Sequence, residues 1–158
     1  MAEHHLEGSV LGVAWDGTGL GDDGTIWGGE FLHTADGGYT RRATFRSFAL
    51  PGGDSAMREP RRSALGLLYE MMGDKAFARE DLASIRAFTG SERELLRQAM
   101  RRRTLAPLTS SVGRLFDGVA SILGIRQRAS YEGQAAAALE HAAAPGGEPY
   151  PFTVVSRA

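Results

Sequence analysis

The stretch of the sequence best suited to chemistry is a run of glycine, acidic and hydroxyl residues near the start of the chain. Asp16, Gly17, Thr18 and Gly19 directly follow a short apolar run, which predicts a buried strand that ends in a tight turn. Successive N–H groups in a glycine turn form a concavity that binds anions, and Thr18 adds a hydroxyl donor. Asp16 offers carboxylate oxygens to a divalent metal ion. The run therefore predicts a phosphate- or metal-binding loop, although Asp-Gly is also typical of a plain β-hairpin turn.

Two further pairs of residues are candidates for a functional role. Gly28 and Gly29 stand in the next predicted strand, where the missing side chains allow another backbone or a ligand to approach closely. Arg58 and Glu59 form either an ion pair within a helix or a clamp on a substrate, because a guanidinium binds phosphate oxygens well. Both interpretations of this pair stay open at this point.

The serines and histidines show no pattern of nucleophilic or metal chemistry. Ser110 and Ser111 have no His and Asp partners nearby in the sequence and predict helix caps. Zinc-binding histidine pairs on a helix are spaced i, i+4, and no pair here has that spacing. We therefore interpret all the histidines as ordinary: His4, His5, His33 and His141.

The composition excludes several classes of protein. The 158 residues contain no cysteine, so disulfides, thiolate metal sites and cysteine nucleophiles are excluded. A net charge of −1 provides no electrostatic attraction to nucleic acid. No apolar run approaches the ~18 residues of a membrane span, and no signal peptide is visible. We therefore expect a cytoplasmic protein that binds neither nucleic acid nor membrane.

The elements that must position these residues begin with strands. Turn residues and an imperfect alternation of apolar and polar residues predict strands at residues 9–15, 25–34 and 39–50. We expect them to form a three-stranded antiparallel meander over residues 9–50.

The remainder of the chain has mostly helical periodicity. We expect about five helices: residues 60–73, residues 80–88, a helix opened by a capping box at Ser91–Glu94, a helix after Ser111, and an alanine-rich helix over residues 132–144. A short apolar run predicts a terminal strand at residues 150–156. The fold class is therefore α/β in an α+β arrangement, with a sheet at 9–50, a helical part at 58–144 and the terminal strand.

The helix after Ser111 carries an acidic residue whose role depends on its orientation. The apolar residues of this helix are spaced as a core-facing stripe: Val112, Leu115, Phe116, Val119, Ile122 and Leu123. Asp117 lies nearly opposite the stripe, which predicts an exposed side chain. An exposed ion pair with Arg114 at i, i+3 would contribute only a few tenths of a kcal/mol.

Four blocks of the sequence, in the same order, resemble the HypF family of carbamoyltransferases, which act in [NiFe]-hydrogenase maturation. The blocks are residues 12–31, residues 52–60 with Gly52-Gly53-Asp54 and Arg58-Glu59-Pro60, residues 109–117 with Thr109 to Asp117, and residues 131–136 with Tyr131-Glu132-Gly133. They resemble the first part of the family's C-terminal transferase domain. That resemblance implies the fold of the actin, hexokinase and Hsp70 ATPases, related to the tRNA threonylcarbamoyltransferases.

The resemblance also implies an activity and its partners. The intact enzyme is expected to make carbamoyl adenylate from carbamoyl phosphate and ATP. It then transfers the carbamoyl group to the C-terminal cysteine of a HypE protein, where it becomes a cyanide ligand of the hydrogenase iron. Alternatives are a nucleotide-binding module of the sugar-kinase type and a structural or interaction domain that has no catalytic role.

The same resemblance assigns roles to individual residues. Asp16 is expected near a divalent metal, Fe or Zn, and near the nucleotide phosphates, and Arg58 on a phosphate of carbamoyl phosphate or ATP. Asp117 is expected to bind the nucleotide. The expected nucleotide-binding set is completed by residues of three short segments: Gly17, Thr18 and Gly19; Gly28 and Gly29; Glu132 and Gly133.

We expect residues 1–158 to form a single partial domain, because the family's upstream His-x-x-x-His helix and its other domains have no counterpart in this sequence. The isolated chain is therefore expected to be inactive. Half of such a domain leaves apolar surface or sheet edge uncovered, so we also expect self-association, most simply as a homodimer.

Overall fold

The structure, a computed structural model, starts with an antiparallel sheet and continues into helices. It describes residues 8–35, 37–103, 105–144, 146–148 and 151. The strands β1 (Val10–Leu20), β2 (Ile26–Ala35) and β3 (Gly38–Thr44) pair in sequence order, each antiparallel to the next. The predicted meander is thus confirmed.

The first strand does not end where the sequence predicts. β1 continues through Asp16 to Leu20, and its register with β2 shifts between the pairs Trp15–Gly29 and Gly19–Trp27. Three residues on β1 therefore lie opposite one on β2, so Asp16, Gly17 and Thr18 form a bulge within the hairpin and not the turn at its tip.

The turn itself lies at residues 21–25 and is organised by Asp23. Its carboxylate accepts hydrogen bonds from the Thr25 backbone N–H at 3.0 Å, the Thr25 hydroxyl at 2.6 Å and the Trp27 indole N–H at 2.9 Å. These bonds to the ionised form, those from Thr25 first, lower the pKa of Asp23 to about 2. This loop makes the turn of the hairpin. The bulge upstream of it therefore has no role in the turn and can contact another part of the molecule.

The predicted strand at 39–50 is wrong as a single element. β3 ends at Thr44, and a separate short strand β4 (Phe48–Ala49) pairs antiparallel with β5 (Leu108–Thr109). β5 in turn pairs in parallel with the start of β2, through Ile26 and Thr109. The chain leaves β3 because Phe48 and Leu50 are buried in a cluster with Ala56, away from the meander.

The helices follow the predicted order with different lengths. Their bounds are α1 (Ser55–Arg58), α2 (Pro60–Met72), a 3₁₀ helix (Gly73–Ala78), α3 (Ala83–Arg86), α4 (Gly90–Arg102), α5 (Val112–Ile122) and α6 (Gln134–Ala142). The helix predicted at 80–88 is thus only the single turn α3. The predicted capping box at Ser91–Glu94 is displaced, since Thr89 caps α4 by accepting from Glu92 N–H at 3.2 Å and Glu92 returns a bond to Thr89 N–H at 2.7 Å.

The main core lies between α2, α4 and the segments that connect them. Its members are Leu65, Leu68, Ala76, Phe77, Ile85, Phe88, Leu96, Met100 and Ala106. α2 also crosses β4 and α5 closely: a Cβ on Gly66 would lie 1.9 Å from the Ala49 carbonyl oxygen, and one on Gly118 would lie 3.2 Å from the Ala64 nitrogen. Gly66 thus lets α2 approach β4, and Gly118 lets α5 approach α2, which fixes the helix that carries Asp117.

Some expectations fall on residues that the structure does not describe. They are the terminal strand at 150–156, apart from residue 151, and the histidines His4 and His5. In the ranges given above, no helix combines the length and the apolar character needed to cross a bilayer.

Candidate functional site

The first turn of α5 lies on the bulge of β1, and Ser111 joins the two. The Ser111 hydroxyl donates toward the carbonyl oxygens of Asp16, at 2.8 Å, and Gly17, at 2.9 Å. The same oxygen accepts from Arg114 N–H at 3.2 Å, so Ser111 is the N-cap of α5, as predicted. Ser110 is not a cap; its hydroxyl donates to Glu30 instead.

The contact between the bulge and α5 is close enough to require glycine at position 113, and Gly17 on the bulge side lies against the Glu132 side chain. A Cβ on Gly113 would lie 2.8 Å from the Gly17 Cα, and a Cβ on Gly17 would lie 2.5 Å from Oε1 of Glu132. Gly28, beneath the bulge, has φ +154°, and a Cβ there would lie 2.6 Å from Oδ1 of Asp16. The expected close backbone approach at Gly28 is therefore present.

A buried carboxylate that the sequence analysis did not single out supports this contact. Oε2 of Glu30 accepts from the N–H groups of Gly28 and Gly29, each at 2.6 Å. Its Oε1 accepts from the hydroxyl of Ser110 and, at 3.2 Å, from that of Thr44. Because a buried carboxylate is costly unless its oxygens are satisfied, these four donors explain how Glu30 is accommodated.

Asp117 is buried, so the prediction that it is exposed is wrong. Its exposed fraction is 3%, and that of Arg114 is 1%; Nη1 of Arg114 lies 3.1 Å from Oδ2 of Asp117. The predicted apolar stripe is also partly wrong, because Phe116 and Leu123 are exposed. α5 packs against α2 on one side and against β1 and α6 on another, so two faces are covered rather than one.

The environment of Asp117 alters its ionisation. Burial raises the pKa of Asp117 to about 6, because the charged form loses hydration. The Arg114 guanidinium opposes this rise, and the nearby Glu132 carboxylate adds to it. Glu132 is the exposed member of the group, with 65% of its side chain accessible, and its Oε1 lies 3.6 Å from Nη2 of Arg114.

These residues surround a cavity of about 320 Å³. It brings together five of the predicted site residues: Asp16, Gly17, Asp117, Glu132 and Gly133. The other lining residues are Trp15, Val112, Gly113, Arg114, Phe116 and Ala136. A polar floor of Arg114 and Asp117 under apolar walls suits a small ligand that presents both hydrogen-bond donors and acceptors.

Arg58 belongs to a neighbouring cavity of about 530 Å³, which shares Glu132 with the first. Among the residues described, no carboxylate forms an ion pair with Arg58. Glu59 instead accepts from Arg61 at 2.9 Å and from Arg62 at 2.8 Å. The interpretation of Arg58 and Glu59 as a pair within a helix is therefore wrong, and the Arg58 guanidinium remains available to a ligand.

Four predicted residues do not line either cavity. Thr18 is the exposed last residue of the bulge, and Gly19, which follows it, pairs with Trp27. Gly28 and Gly29 lie below it, against Ser110 and Ser111. Within the described ranges, no three His, Cys, Asp or Glu side chains lie close enough to hold a metal ion together, so Asp16 offers a single carboxylate.

Comparison with known proteins gives one consistent result. A family model described as carbamoyltransferase, Kae1-like domain, second subdomain, matches residues 12–157. The chain is similar to the carbamoyltransferase HypF of Synechocystis, with 44% identity over 98% of the chain and 22% of that protein. It is also similar to the carbamoyltransferase HypF of Rhodobacter capsulatus, with 47% identity over 89% of the chain and 18% of that protein.

Solved structures show the same likeness. A full-length HypF in its phosphate- and nucleotide-bound form superposes with a TM-score of 0.85 and 34% identity, over 99% of this chain and 20% of that one. The HypF of T. kodakarensis superposes with a TM-score of 0.80 and 32% identity, over 98% and 21% of the two chains. The chain thus spans about a fifth of the length of these similar proteins.

Proposed function

The chain belongs to the HypF carbamoyltransferase family, and from that premise we propose that its 320 Å³ cavity forms part of the carbamoyl-transfer site of a longer enzyme. In that enzyme, carbamoyl phosphate and ATP provide an activated carbamoyl group, held as carbamoyl adenylate. The acceptor is the C-terminal cysteine of a HypE-type protein, and the product leads to the cyanide ligands of a [NiFe] centre.

The observation that carries this proposal is the meeting of three separate parts of the chain at one cavity. Asp16 and Gly17 come from the β1 bulge, Asp117 from α5, and Glu132 and Gly133 from the turn before α6. The glycine-rich run already predicted Asp16 and Gly17, and the resemblance added Asp117, Glu132 and Gly133. A similar solved protein is a phosphate- and nucleotide-bound form, which supports a nucleotide as one occupant of this region.

The residues around the cavity suit a nucleotide. Gly17 presents backbone without a side chain to the cavity, and the Glu132 carboxylate lies where a Cβ on Gly17 would be crowded. Asp117 offers buried acceptor oxygens to a ribose hydroxyl, and Arg58 in the adjoining cavity offers donors to a phosphate. ATP, when bound, supplies the adenylyl group that activates the carbamoyl carbon.

The residues described do not form a complete site for the expected Fe or Zn. Asp16 contributes one carboxylate, and no second and third ligand lie near it in the described ranges. A metal at Asp16 therefore needs ligands from other parts of the longer enzyme. For the same reason we propose that this chain alone does not carbamoylate the cysteine.

A segment-exchange experiment tests this function. The matching segment of Synechocystis HypF is replaced by this chain, and carbamoylation of a HypE C-terminal cysteine is followed by mass spectrometry with carbamoyl phosphate and ATP. We expect the chimaera to add the carbamoyl group. We expect Asp16→Ala in the chimaera to lower the rate of this transfer at least ~100-fold. Asp81→Ala, which removes an exposed carboxylate paired with Arg79, is the matched control.

Two outcomes would contradict the proposal. An Asp16→Ala chimaera that turns over as fast as the unchanged one would return Asp16 to a purely structural role. A chimaera that folds and binds ATP but never transfers a carbamoyl group would favour the alternative of a nucleotide-binding module.

A further inference from the structure

Arg114 is buried more completely than its hydrogen bonds justify. Only 1% of the residue is exposed, and within the described structure its Nε and Nη1 have no hydrogen-bond acceptor. Nη1 is close to Oδ2 of Asp117, at 3.1 Å, but the geometry is that of an ion pair and not of a hydrogen bond. Buried donors of a guanidinium without acceptors are costly, so the arrangement is incomplete as it stands.

The charges around Arg114 argue against a phosphate as the missing partner. Three carboxylates, those of Asp16, Asp117 and Glu132, line the same cavity, and Arg114 is the one cation among its described lining residues. A phosphate placed directly on Arg114 would meet these like charges at short range, which is unfavourable in a partly desolvated site, so the phosphate of carbamoyl adenylate belongs toward Arg58 in the adjoining cavity. A neutral group that carries a carbonyl oxygen and N–H donors meets both signs of charge favourably.

We propose that Arg114 is a specificity-determining residue that recognises a primary carbamoyl group, H₂N–C(=O)–O–R. The carbonyl oxygen accepts from the free N–H groups of Arg114, and the NH₂ group donates to a carboxylate oxygen of Asp117 or Glu132. This inference rests on the proposed function, since it assigns the recognition of the carbamoyl group to one side chain of the same cavity.

Glu132 is the carboxylate that moves away from Arg114 when the carbamoyl group binds. Its side chain is exposed and 3.6 Å from Arg114, whereas Asp117 is buried at 3.1 Å. Losing the longer, solvated contact costs less than breaking the buried one. The first turn of α5, which carries Arg114 and faces the bulge, adds the positive end of a helix dipole beside the carbonyl oxygen.

The test uses two small probes that differ in one group. Methyl carbamate carries both the carbonyl and the NH₂ group, and methyl acetate carries the carbonyl alone. Each is titrated into the ¹⁵N-labelled chain while the Arg114 Nε–H and the backbone N–H groups of Gly17 and Gly113 are followed by NMR. We expect saturable shifts with methyl carbamate and at least ~10-fold weaker binding of methyl acetate, because unpaired carboxylates penalise a ligand without N–H donors.

Variants separate recognition from stability. In Arg114→Lys, which keeps the charge but loses the planar donors to the carbonyl oxygen that the two probes share, both probes are expected to bind at least ~10-fold more weakly. Arg46→Lys, at an exposed arginine paired with Glu70, should keep the wild-type dissociation constants. Melting temperatures of both variants show whether a lost affinity reflects unfolding, and the comparison of the two probes on the wild-type chain needs no variant.

Three results would overturn the inference. Equal binding of the two probes to the wild-type chain would remove the carbamoyl specificity. An unchanged affinity for both probes in a folded Arg114→Lys would assign the recognition of the carbonyl oxygen elsewhere and leave the proposed transferase function intact. Inorganic phosphate that shifts the Arg114 Nε–H while methyl carbamate does not would make this an anion site, and a chimaera inactive in transfer would separately remove the proposed function.

Discussion

Nη1 of Arg114 lies 3.1 Å from Oδ2 of Asp117, and solvent reaches almost none of either side chain. A pair of this kind is held by mutual attraction but pays for the lost hydration of both ions. Here the balance is visible in the raised pKa of Asp117, since burial outweighs the attraction of Arg114. The pair is therefore sensitive to pH in a direction opposite to that of most paired carboxylates.

The first prediction concerns stability and pH. The pKa of Asp117 is about 6 in the folded chain and about 3.9 when unfolded. Between these values the folded state binds more protons, so this carboxyl lowers the free energy of unfolding as pH rises from 4 to 7. We expect wild type to lose about 1–3 kcal/mol relative to Asp117→Asn over that range.

The measurement is urea unfolding of both proteins at several pH values. Comparing the two isolates Asp117 from carboxyls whose pKa lies below the usual value, such as Asp74 with its bonds from Arg101. A difference that does not change with pH would show that Asp117 titrates normally.

The second prediction concerns Glu30. Replacing it with alanine removes the acceptor of the Gly28 and Gly29 N–H groups and leaves the Ser110 hydroxyl with the Ile26 carbonyl oxygen, at 3.5 Å. We expect Glu30→Ala to reduce the free energy of unfolding by about 3–5 kcal/mol. Glu30→Gln should lose less, because its amide oxygen can accept from the two N–H groups while its NH₂ donates to the hydroxyls.

Chemical denaturation with Glu70→Ala as the control measures this effect. Glu70 is paired with exposed Arg46, so its loss should cost under about 1 kcal/mol. Equal losses for Glu30→Ala and Glu70→Ala would mean that the four donors around Glu30 do not stabilise the fold.

The third prediction compares two glycines in the first turns of helices of similar length. A Cβ on Gly113 would lie 2.8 Å from Gly17 Cα and 3.2 Å from the Asp16 carbonyl oxygen, whereas nothing lies within 4 Å of a Cβ on Gly90. Gly113→Ala must move backbone and should cost about 1–3 kcal/mol. Gly90→Ala should be neutral or slightly stabilising.

Thermal unfolding and the amide resonances of the bulge report both changes. Gly113→Ala is expected to shift the resonances of Asp16 and Gly17, and Gly90→Ala to leave them unmoved. If Gly113→Ala has wild-type stability and resonances, the close contact between α5 and the bulge is absent in solution.

The fourth prediction is self-association. Leu11, Val13 and Trp15 alternate along one face of β1 and are 59%, 55% and 53% exposed, and β1 has a single partner strand in the described sheet. Apolar residues on an edge strand favour pairing with a second copy. We expect light scattering to give about twice the 16.9 kDa chain mass at high concentration.

A charge on this face tests the surface directly. Val13→Lys should give the monomer mass, and Leu95→Lys, at an exposed leucine of α4, should leave the dimer intact. A wild-type chain that stays at the monomer mass throughout the concentration series would show that this surface does not pair.

The elements of this fold were largely predictable from local sequence, and the composition of its interior was not. Alternating apolar and polar residues between glycine-rich turns predicted the meander. A hydroxyl residue directly before a helical pattern predicted the cap at Ser111. The burial of Asp117 and Arg114 depends on α6 and β1 reaching the far side of α5, and no periodicity within α5 contains that information. The four donors around Glu30 likewise come from three separate segments.

The resemblance singled out Asp117, Glu132 and Gly133, which line the cavity, and the helical pattern did not. The apolar stripe of α5 predicted an exposed Asp117. This prediction failed because the buried face of α5 is made of small and polar residues such as Gly118, Ala120 and Ser121. These let α5 approach α2 closely, at the expense of the larger Phe116 and Leu123, which remain at the surface.

The bond between Ser111 and Asp16 also sets an order of events during biosynthesis. The two residues are 95 positions apart, so at about 5–20 residues per second a ribosome needs roughly 5–20 s to add the second after the first. Throughout that interval the bulge has no helix to rest on, and its hairpin emerges with an apolar face uncovered. A chaperone that holds nascent β-hairpins would therefore find its binding site on this chain before the cavity exists.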